Sequence, residues 1–206
     1  MSKMKIGVLA SGRGSNLQAI MEQIAYCKLD AEIVVVLSDK ENSFALKRAQ
    51  DKGIVGITVL KNTFGSQIEF ETALVENLKK HGAELVVLAG FMRVLSPFFI
   101  QQFPNRIINI HPSLLPSFPG LHAQKQALEY GVKFSGCTVH FVNEEVDGGP
   151  IISQALVLVN EGDTEESLGD RILVEEHRLL PEAIQNFILG KIEIQGRKTV
   201  IRKGGK

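Results

Sequence analysis

The feature that most constrains the fold is a regular alternation of short apolar runs with segments of helical period. The apolar runs are KIGVLA, EIVVVLSD, GITVL and ELVVLAG, and the helical segments are 16–27, 44–53, 67–81 and 97–103. Strands that read as continuous apolar runs are typical of parallel sheets covered by helices, because neither face meets water. The sequence therefore predicts an α/β fold with a doubly wound, mostly parallel sheet and helices on both faces.

The second half of the chain has a different texture. A helix is predicted at 123–130, followed by strands at 136–142 and 150–159 that the loop NEEVDGG joins. Such a pair is expected to be antiparallel, which makes the sheet mixed. Thr164 is a candidate N-cap for a helix that reaches Leu189, with Pro181 kinking or dividing it. The tail KIEIQGRKTVIRKGGK predicts two short edge strands.

Charge and cysteine content exclude several classes of protein. The 23 basic residues match the 23 acidic ones, so there is no general electrostatic attraction to nucleic acid or to an anionic membrane. No apolar run approaches the roughly 18 to 20 residues that span a bilayer. Cys27 and Cys137 lie far apart without metal-ligand spacing, so we expect neither a disulfide nor a metal site. We expect a cytoplasmic protein that binds neither nucleic acid nor membranes.

The first glycine loop, SGRGSN, stands directly between a predicted strand and a predicted helix. Gly12 and Gly14 there leave backbone N–H groups and the positive end of the helix dipole facing outward, which suits a phosphate group. Ser15 and Asn16 add side-chain donors. The dinucleotide fingerprint is incomplete, because Leu17 occupies the position of its third glycine. A small phosphorylated ligand is favoured, and a dinucleotide or a purely structural turn remain alternatives.

A second group of polar residues lies at the end of a later strand, in RIINIHPSLLPSFPGLHA. Asn109 and His111 are two apart and share one face of an extended strand, which Pro112 then ends. Asp147 precedes two glycines, which let a loop return a carboxylate over a site. An amide, an imidazole and a carboxylate can together stabilise an oxyanion and move a proton. Taken alone, His111 is equally compatible with a structural role, and Asp147 is more typical of a turn.

Five stretches spread over nearly the whole chain resemble the folate-dependent formyltransferase family. They are SGRGSNLQAI, VLAGFMRVLSPFF, INIHPSLLPSFPGLHA, CTVHFVNEEVDGGPIISQ and EEHRLLP. The likeness is close to the branch that acts on 5-phosphoribosylglycinamide. It implies a Rossmann-like formyltransferase fold and transfer of the formyl group of 10-formyltetrahydrofolate to the amine of that substrate, a step of de novo purine synthesis.

The resemblance implies that Asn109, His111 and Asp147 are catalytic, without a metal or a covalent intermediate. His111 as imidazolium and the Asn109 amide would stabilise a tetrahedral intermediate. Asp147 would keep His111 charged and help to move the proton from the attacking amine to the departing folate nitrogen. His140 could face this site or be satisfied within the sheet, and the second placement is favoured.

The resemblance also implies the binding residues. Gly14, Ser15 and Asn16 would hold the substrate phosphate, and Glu176 would bind the ribose hydroxyls. The residues implied to contact the folate are Gln67, Met92, Arg93, Val94, Leu95, Asn109, Asn143, Glu144, Val146 and Asp147. By default, however, Met92, Val94 and Leu95 are core residues, and Glu176 forms an exposed helical pair with His177.

One position departs from the family pattern. The family commonly has a basic residue in the segment that opens the third helix, whereas this chain has Gln67 there. A carboxamide forms hydrogen bonds but supplies no charge. We therefore expect the glutamate tail of the folate to be met differently or more weakly, by Lys61 or Arg93.

Several alternatives share parts of this pattern. Formyltetrahydrofolate hydrolase and methionyl-tRNA formyltransferase share the Asn-x-His and Asp pattern, but each normally carries an extra domain for which we expect no room here. A nucleotide-sensing binding module would keep the glycine loop without needing Asn109, His111 and Asp147, and an NAD-dependent dehydrogenase is a third option. We expect one domain, 1–206, with a phosphate-binding half at 1–105 and a catalytic, folate-binding half at 106–206. We expect it to act on small molecules as a monomer or homodimer.

Overall fold

The computed structural model describes residues 3–202. Its principal strands are β1 (Met4–Leu9), β2 (Ala31–Ser38), β3 (Gly56–Thr58), β4 (Leu85–Leu88), β5 (Ile107–His111), β6 (Phe134–Phe141) and β7 (Ile151–Leu158). Its helices are α1 (Ser15–Ala25), α2 (Phe44–Asp51), α3 (Gln67–Lys80), α4 (Pro97–Gln102), α5 (Ala123–Tyr130) and α6 (Glu165–Ile188). The segments of helical period and the apolar runs thus form the elements predicted for them.

The seven strands form one sheet in the order β3-β2-β1-β4-β5-β6-β7. Strand β1 pairs in parallel with both β2 and β4, and β2 pairs in parallel with β3. Strands β6 and β7 pair antiparallel. The mixed, mostly parallel sheet of an α/β fold is therefore confirmed. The strand order reverses between β1 and β4, the kind of position at which doubly wound sheets bind ligands.

The first part of the sheet is buried as the continuous apolar runs predicted. All four residues of β4 are buried, as are the residues of β1 from Ile6 to Leu9. Helix α3 turns an apolar stripe toward the core, and the stripe residues Phe70, Leu74 and Leu78 are all buried. The Ser66 hydroxyl accepts a hydrogen bond from the Glu69 N–H at 3.2 Å, which satisfies one of the unpaired donors at the helix start.

Helix α6 is continuous, so the expectation that Pro181 could divide it is wrong. It runs from Glu165 to Ile188 with Pro181 inside. Thr164 and Ser167 form a capping box at its start, as the candidate N-cap predicted. A proline within a helix costs about 3 kcal/mol through its missing N–H and its ring. Burial of Leu179, Leu180 and Pro181 offsets that cost.

The tail forms two short strands, as the sequence predicted, and both are edge strands of a two-stranded sheet. Strands β8 (Ile192–Gln195) and β9 (Lys198–Ile201) pair with each other in a separate antiparallel sheet. The Thr199 hydroxyl donates to the carbonyl oxygen of Ile151 at 2.6 Å, which attaches the hairpin to β7. Residues 203–206 of the predicted tail lie outside the described residues.

The chain forms two compact units that divide after Ile108. The glycine loop belongs to the first unit, and Asn109, His111 and Asp147 belong to the second. The expectation of a single domain with two halves stays a prediction. Within residues 3–202 the structure contains no helix of the length and hydrophobicity needed to cross a membrane.

Candidate active site

The second unit brings Asn109, His111 and Asp147 together. Strand β5 places the amide and the imidazole on one side, because side chains two apart in a strand point the same way. His111 Nδ1 lies 3.3 Å from Asp147 Oδ2, and the Asn109 amide donates to Asp147 Oδ1 at 3.4 Å. The loop between β6 and β7 thus returns the carboxylate to the end of β5, as the sequence predicted.

The two glycines after Asp147 are required by space and not by an unusual backbone angle. Asp147 itself adopts a positive φ of 51°, whereas neither Gly148 nor Gly149 does. A Cβ on Gly149 would lie 1.8 Å from the Phe141 carbonyl oxygen, and one on Gly148 would lie 2.4 Å from Glu145 Cβ. The strain at Asp147 and the close packing behind it together aim the carboxylate inward.

His111 is buried with an acceptor at each ring nitrogen. Nε2 lies 2.9 Å from the Phe118 carbonyl oxygen, while Nδ1 faces Asp147. Burial lowers the pKa of His111, and His140 adds to this, whereas Asp147 and the Phe118 carbonyl act in the opposite direction. Asp147 favours the charged imidazole but does not offset burial, whereas it was expected from the sequence to keep His111 charged.

Asp147 is held as an anion by several donors. Burial raises the pKa of Asp147, but the hydrogen bond to His140, the Gly120 N–H and the neighbouring charges of His111 and His140 together lower that pKa below its ordinary value. The Gly120 N–H donates to Oδ2 at 2.8 Å. An ionised carboxylate among these donors is ready to accept a proton during a reaction.

His140 lies against the three predicted residues, although the sequence favoured a place within the sheet. Its Nε2 is 3.1 Å from the Asn109 amide nitrogen and 3.6 Å from Asp147 Oδ1. Its Nδ1 is 2.8 Å from the Phe141 carbonyl oxygen. Nδ1 donates to this carbonyl, and Nε2 lies between the Asn109 amide and the Asp147 carboxylate. His140 therefore orients Asn109 as well as stabilising Asp147.

The loop after β5 supplies partners that sequence reasoning missed. Phe118 and Gly120, both with positive φ, contribute the carbonyl to His111 and the N–H to Asp147. Thr138 holds the start of the loop, donating to Ser113 O at 2.7 Å and accepting from Leu115 N at 3.0 Å. The signal in the sequence was the pair of polar residues two apart, Thr138 and His140, within an apolar strand.

The glycine loop of the first unit follows β1 and precedes α1. Gly14 is the N-cap of α1 with a φ of 68°, a conformation that favours glycine. A cavity of about 250 Å³ lies over the loop. It is lined by Ser11, Gly12, Arg13, Gly14, Ser15, Asn16, Lys40, Ala89, Gly90 and Met92. The predicted phosphate residues therefore share one cavity at a helix N-terminus, an arrangement that binds anions.

The segment 92–95 is more exposed than a core segment. Met92 and Val94 are 64% and 62% exposed, whereas Leu95 is buried. Arg93 Nε contacts Asp39 Oδ2 at 2.6 Å. Met92 N donates to the Ser11 hydroxyl at 2.9 Å, which joins this segment to the glycine loop. The core interpretation therefore holds for Leu95 and not for Met92 or Val94.

Gln67 is engaged within the first unit. Its amide nitrogen donates to Glu71 Oε1 at 2.9 Å and to the Val94 carbonyl at 3.2 Å. Glu71 is buried and accepts hydrogen bonds from both the N–H and the hydroxyl of Ser96. Gln67 thus fixes the segment 92–95 against α3.

The remaining predicted residues lie in the second unit. Asn143 Oδ1 accepts from Glu145 N at 3.1 Å and so shapes the loop after β6, where Glu144 and Val146 are exposed. Glu176 on α6 is buried, which argues against the default of an exposed helical pair. Among residues 3–202 no group of three or more His, Cys, Asp or Glu side chains is placed to hold a metal ion.

Comparison with known proteins gives the class to which this fold and site belong. A sequence model of the family described as "Formyl transferase" matches residues 4–184. Because that match covers most of the chain, the chain belongs to the formyl transferase family, and the resemblance seen in its sequence is confirmed.

Particular relatives are similar over almost the whole chain. The phosphoribosylglycinamide formyltransferase of Escherichia coli (strain K12) is 43% identical over 191 residues, which are 93% of this chain and 90% of that protein. The trifunctional purine biosynthetic protein adenosine-3 of Gallus gallus is 45% identical over 94% of this chain and 19% of its own length. The crystal structure of glycinamide ribonucleotide transformylase 1 from Symbiobacterium toebii is 50% identical with a TM-score of 0.96, covering 98% and 95% of the two chains.

Proposed function

We propose that this protein transfers the formyl group of 10-formyltetrahydrofolate to the amine of 5-phosphoribosylglycinamide, giving formylglycinamide ribonucleotide and tetrahydrofolate. The observation that carries the proposal is the convergence of Asn109, His111 and Asp147, with contacts of 3.3 and 3.4 Å to the carboxylate, in a member of the formyl transferase family. Relatives of similar length carry the name of this activity.

The three side chains suit the proposed chemistry. The substrate amine attacks the formyl carbon, a C–N bond forms, and negative charge develops on the formyl oxygen. As that charge develops, His111 takes up a proton from water, although burial disfavours the imidazolium beforehand, and it returns this proton when the intermediate collapses. Asp147, an anion by its lowered pKa, relays the amine proton toward the folate nitrogen as the C–N bond to tetrahydrofolate breaks.

The substrates are proposed to bind through the residues predicted from the sequence. The phosphate would lie in the cavity over Gly14, Ser15 and Asn16, and the buried carboxylate of Glu176 would bind the ribose. The formyl donor would contact Met92, Arg93, Val94, Leu95, Asn109 and the loop of Asn143, Glu144, Val146 and Asp147. The exposed apolar side chains of Met92 and Val94 support this, because exposed apolar residues mark ligand sites.

The glutamate tail of the donor is proposed to meet Lys61 or Arg93. Arg93 is already paired with Asp39 at 2.6 Å. Lys61 lies with its ammonium 5.5 Å from the centre of the Phe70 ring and forms no salt bridge among residues 3–202. Lys61 is therefore the better candidate for a carboxylate of the tail.

The test is a transfer assay with each substrate omitted in turn. Deformylated folate is expected only when 10-formyltetrahydrofolate and 5-phosphoribosylglycinamide are both present. Release without the acceptor would instead favour formyltetrahydrofolate hydrolase, the runner-up. His111→Ala is expected to lose turnover and to keep nucleotide binding. Nucleotide binding without any turnover in the unmodified protein would favour a nucleotide-binding module.

We also propose a cytoplasmic enzyme that acts on small molecules, without a nucleic-acid or membrane partner or a metal, as a monomer or homodimer. The equal numbers of basic and acidic residues support the first part. Light scattering at several protein concentrations measures the oligomeric state.

A further inference from the structure

The carbonyl groups of the glycine loop face helix α2. The Gly12 carbonyl oxygen accepts from the Ser43 hydroxyl at 3.1 Å and from Ala45 N at 3.2 Å. The next carbonyl, that of Arg13, accepts from Arg48 Nε at 3.0 Å. Successive carbonyls of an irregular loop are thus bound by donors from one helix.

This arrangement fixes the direction of the N–H groups. In a trans peptide the C=O of one residue and the N–H of the next point in opposite directions. Because the carbonyls of Gly12 and Arg13 face α2, the N–H groups of Arg13 and Gly14 point away from it. Donors turned away from α2 are available to an anion in the cavity over the loop.

Arg48 also joins α2 to α1. Its Nη1 donates to Gln18 Oε1 at 3.2 Å, and the Gln18 amide donates to Glu22 at 2.8 Å. Among residues 3–202 no carboxylate forms a salt bridge with Arg48. Its planar guanidinium uses separate N–H groups for the loop and for α1, a geometry that lysine cannot reproduce.

We propose that Arg48 is a positioning residue that sets the peptide orientation of the glycine loop for phosphate binding. The proposal rests on the proposed function, because it assumes that the loop holds the substrate phosphate. Ser43 and Ala45 fix the Gly12 carbonyl, and Arg48 fixes the Arg13 carbonyl. Arg48 acts through the loop and does not touch the reacting atoms.

The experiment measures ribose 5-phosphate binding by calorimetry for the full chain and three variants. Arg48→Met keeps the length of the side chain and is expected to weaken binding by about 10-fold, the effect of one lost hydrogen bond to a charged donor. Arg48→Lys keeps the charge and is expected to stay at least about threefold weaker. Lys47→Ala, which removes an exposed charge one residue away, is expected to stay within about twofold.

Steady-state kinetics and amide exchange separate positioning from a general loss of structure. In Arg48→Met the KM for 5-phosphoribosylglycinamide is expected to rise by the same factor, while kcat at saturation stays within about twofold. The amide of Ala45, which donates to the Gly12 carbonyl, is expected to exchange faster in the unliganded variant.

Four outcomes would overturn the proposal. They are unchanged affinity and exchange in Arg48→Met, an equal loss in Lys47→Ala, full recovery in Arg48→Lys, or a fall in kcat without a rise in KM. If the unmodified protein does not bind ribose 5-phosphate, the assignment of the loop to phosphate fails. Amide exchange in the unliganded proteins then still decides whether Arg48 orders the loop.

Discussion

At the residue scale, His111 combines burial with two acceptors, and the balance between them decides its charge. The contacts with Asp147 and the Phe118 carbonyl favour a proton on each nitrogen. Burial opposes the charge more strongly and lowers the pKa. The ring therefore waits in its neutral form beside an anion, which is a suitable starting state for a group that must gain charge during a reaction.

We expect His111→Gln to flatten the dependence of stability on pH. The unfolded chain takes up this proton near the ordinary value of 6.5, whereas the folded chain takes it up only at lower pH. The contribution to the free energy of unfolding is therefore complete above 6.5 and is lost as the pH falls through the folded pKa. Urea unfolding of both proteins between about pH 7.5 and 5 measures the difference. Parallel curves would contradict the expectation.

A substitution at Gln67 tests how the lack of a positive charge at this position affects binding of the formyl donor. We expect Gln67→Arg to tighten binding of a folate that carries a glutamate tail by a few-fold, because it adds a cation where this chain has an amide. Ile68→Arg is the matched control, since Ile68 is 49% exposed on the same helix. Titration of the folate into both variants gives the two affinities. No change in Gln67→Arg, or an equal gain in the control, would count against the role of this position.

At the element scale, the junction of β1, α1 and α2 depends on one glycine. Gly14 has a positive φ of 68°, and a Cβ there would lie 2.7 Å from Ala45 Cα and 2.8 Å from Ala45 Cβ. Gly12, two residues earlier, has no heavy atom of the described residues within 4 Å of such a Cβ. The loop therefore requires glycine at position 14, whereas position 12 has room for a side chain.

We expect Gly14→Ala to lower the free energy of unfolding by about 2 kcal/mol or more, through backbone strain and overlap with α2. Gly12→Ala should change it by less than about 1 kcal/mol. Thermal or urea unfolding of the two variants provides the comparison. Similar losses in both, or a larger loss in Gly12→Ala, would show that the packing against Ala45 does not restrict the loop.

At the scale of the whole molecule, hydrophobic period predicted most of the fold. Continuous apolar runs gave the buried strands, and their alternation with helices gave the mostly parallel sheet. One alternative failed for a tertiary reason. Local rules allowed Pro181 to kink or divide the helix, but burial of its turn keeps α6 continuous. The tail strands pair with each other, a choice that local pattern does not determine.

The candidate site was predicted less completely. Strand period placed Asn109 beside His111, the two following glycines indicated Asp147, and the resemblance to the family implied a catalytic role for all three. The positions of Phe118 and Gly120 depend on how a distant loop packs, so no local spacing identified them. Backbone freedom was the reason expected for the two glycines after Asp147. In the structure they are required because a Cβ would overlap the Phe141 backbone or the Glu145 side chain.

The binding of the Gly12 and Arg13 carbonyls by α2 has a consequence for altering ligand preference. Exchanging the polar side chains of Ser15 and Asn16 changes the surface of the cavity, but the Gly12 and Arg13 carbonyls stay bound by donors from outside the motif. Engineering this chain to accept a carboxylate or a sulfate ester would therefore start with Ser43 and Arg48, whose side chains are the donors.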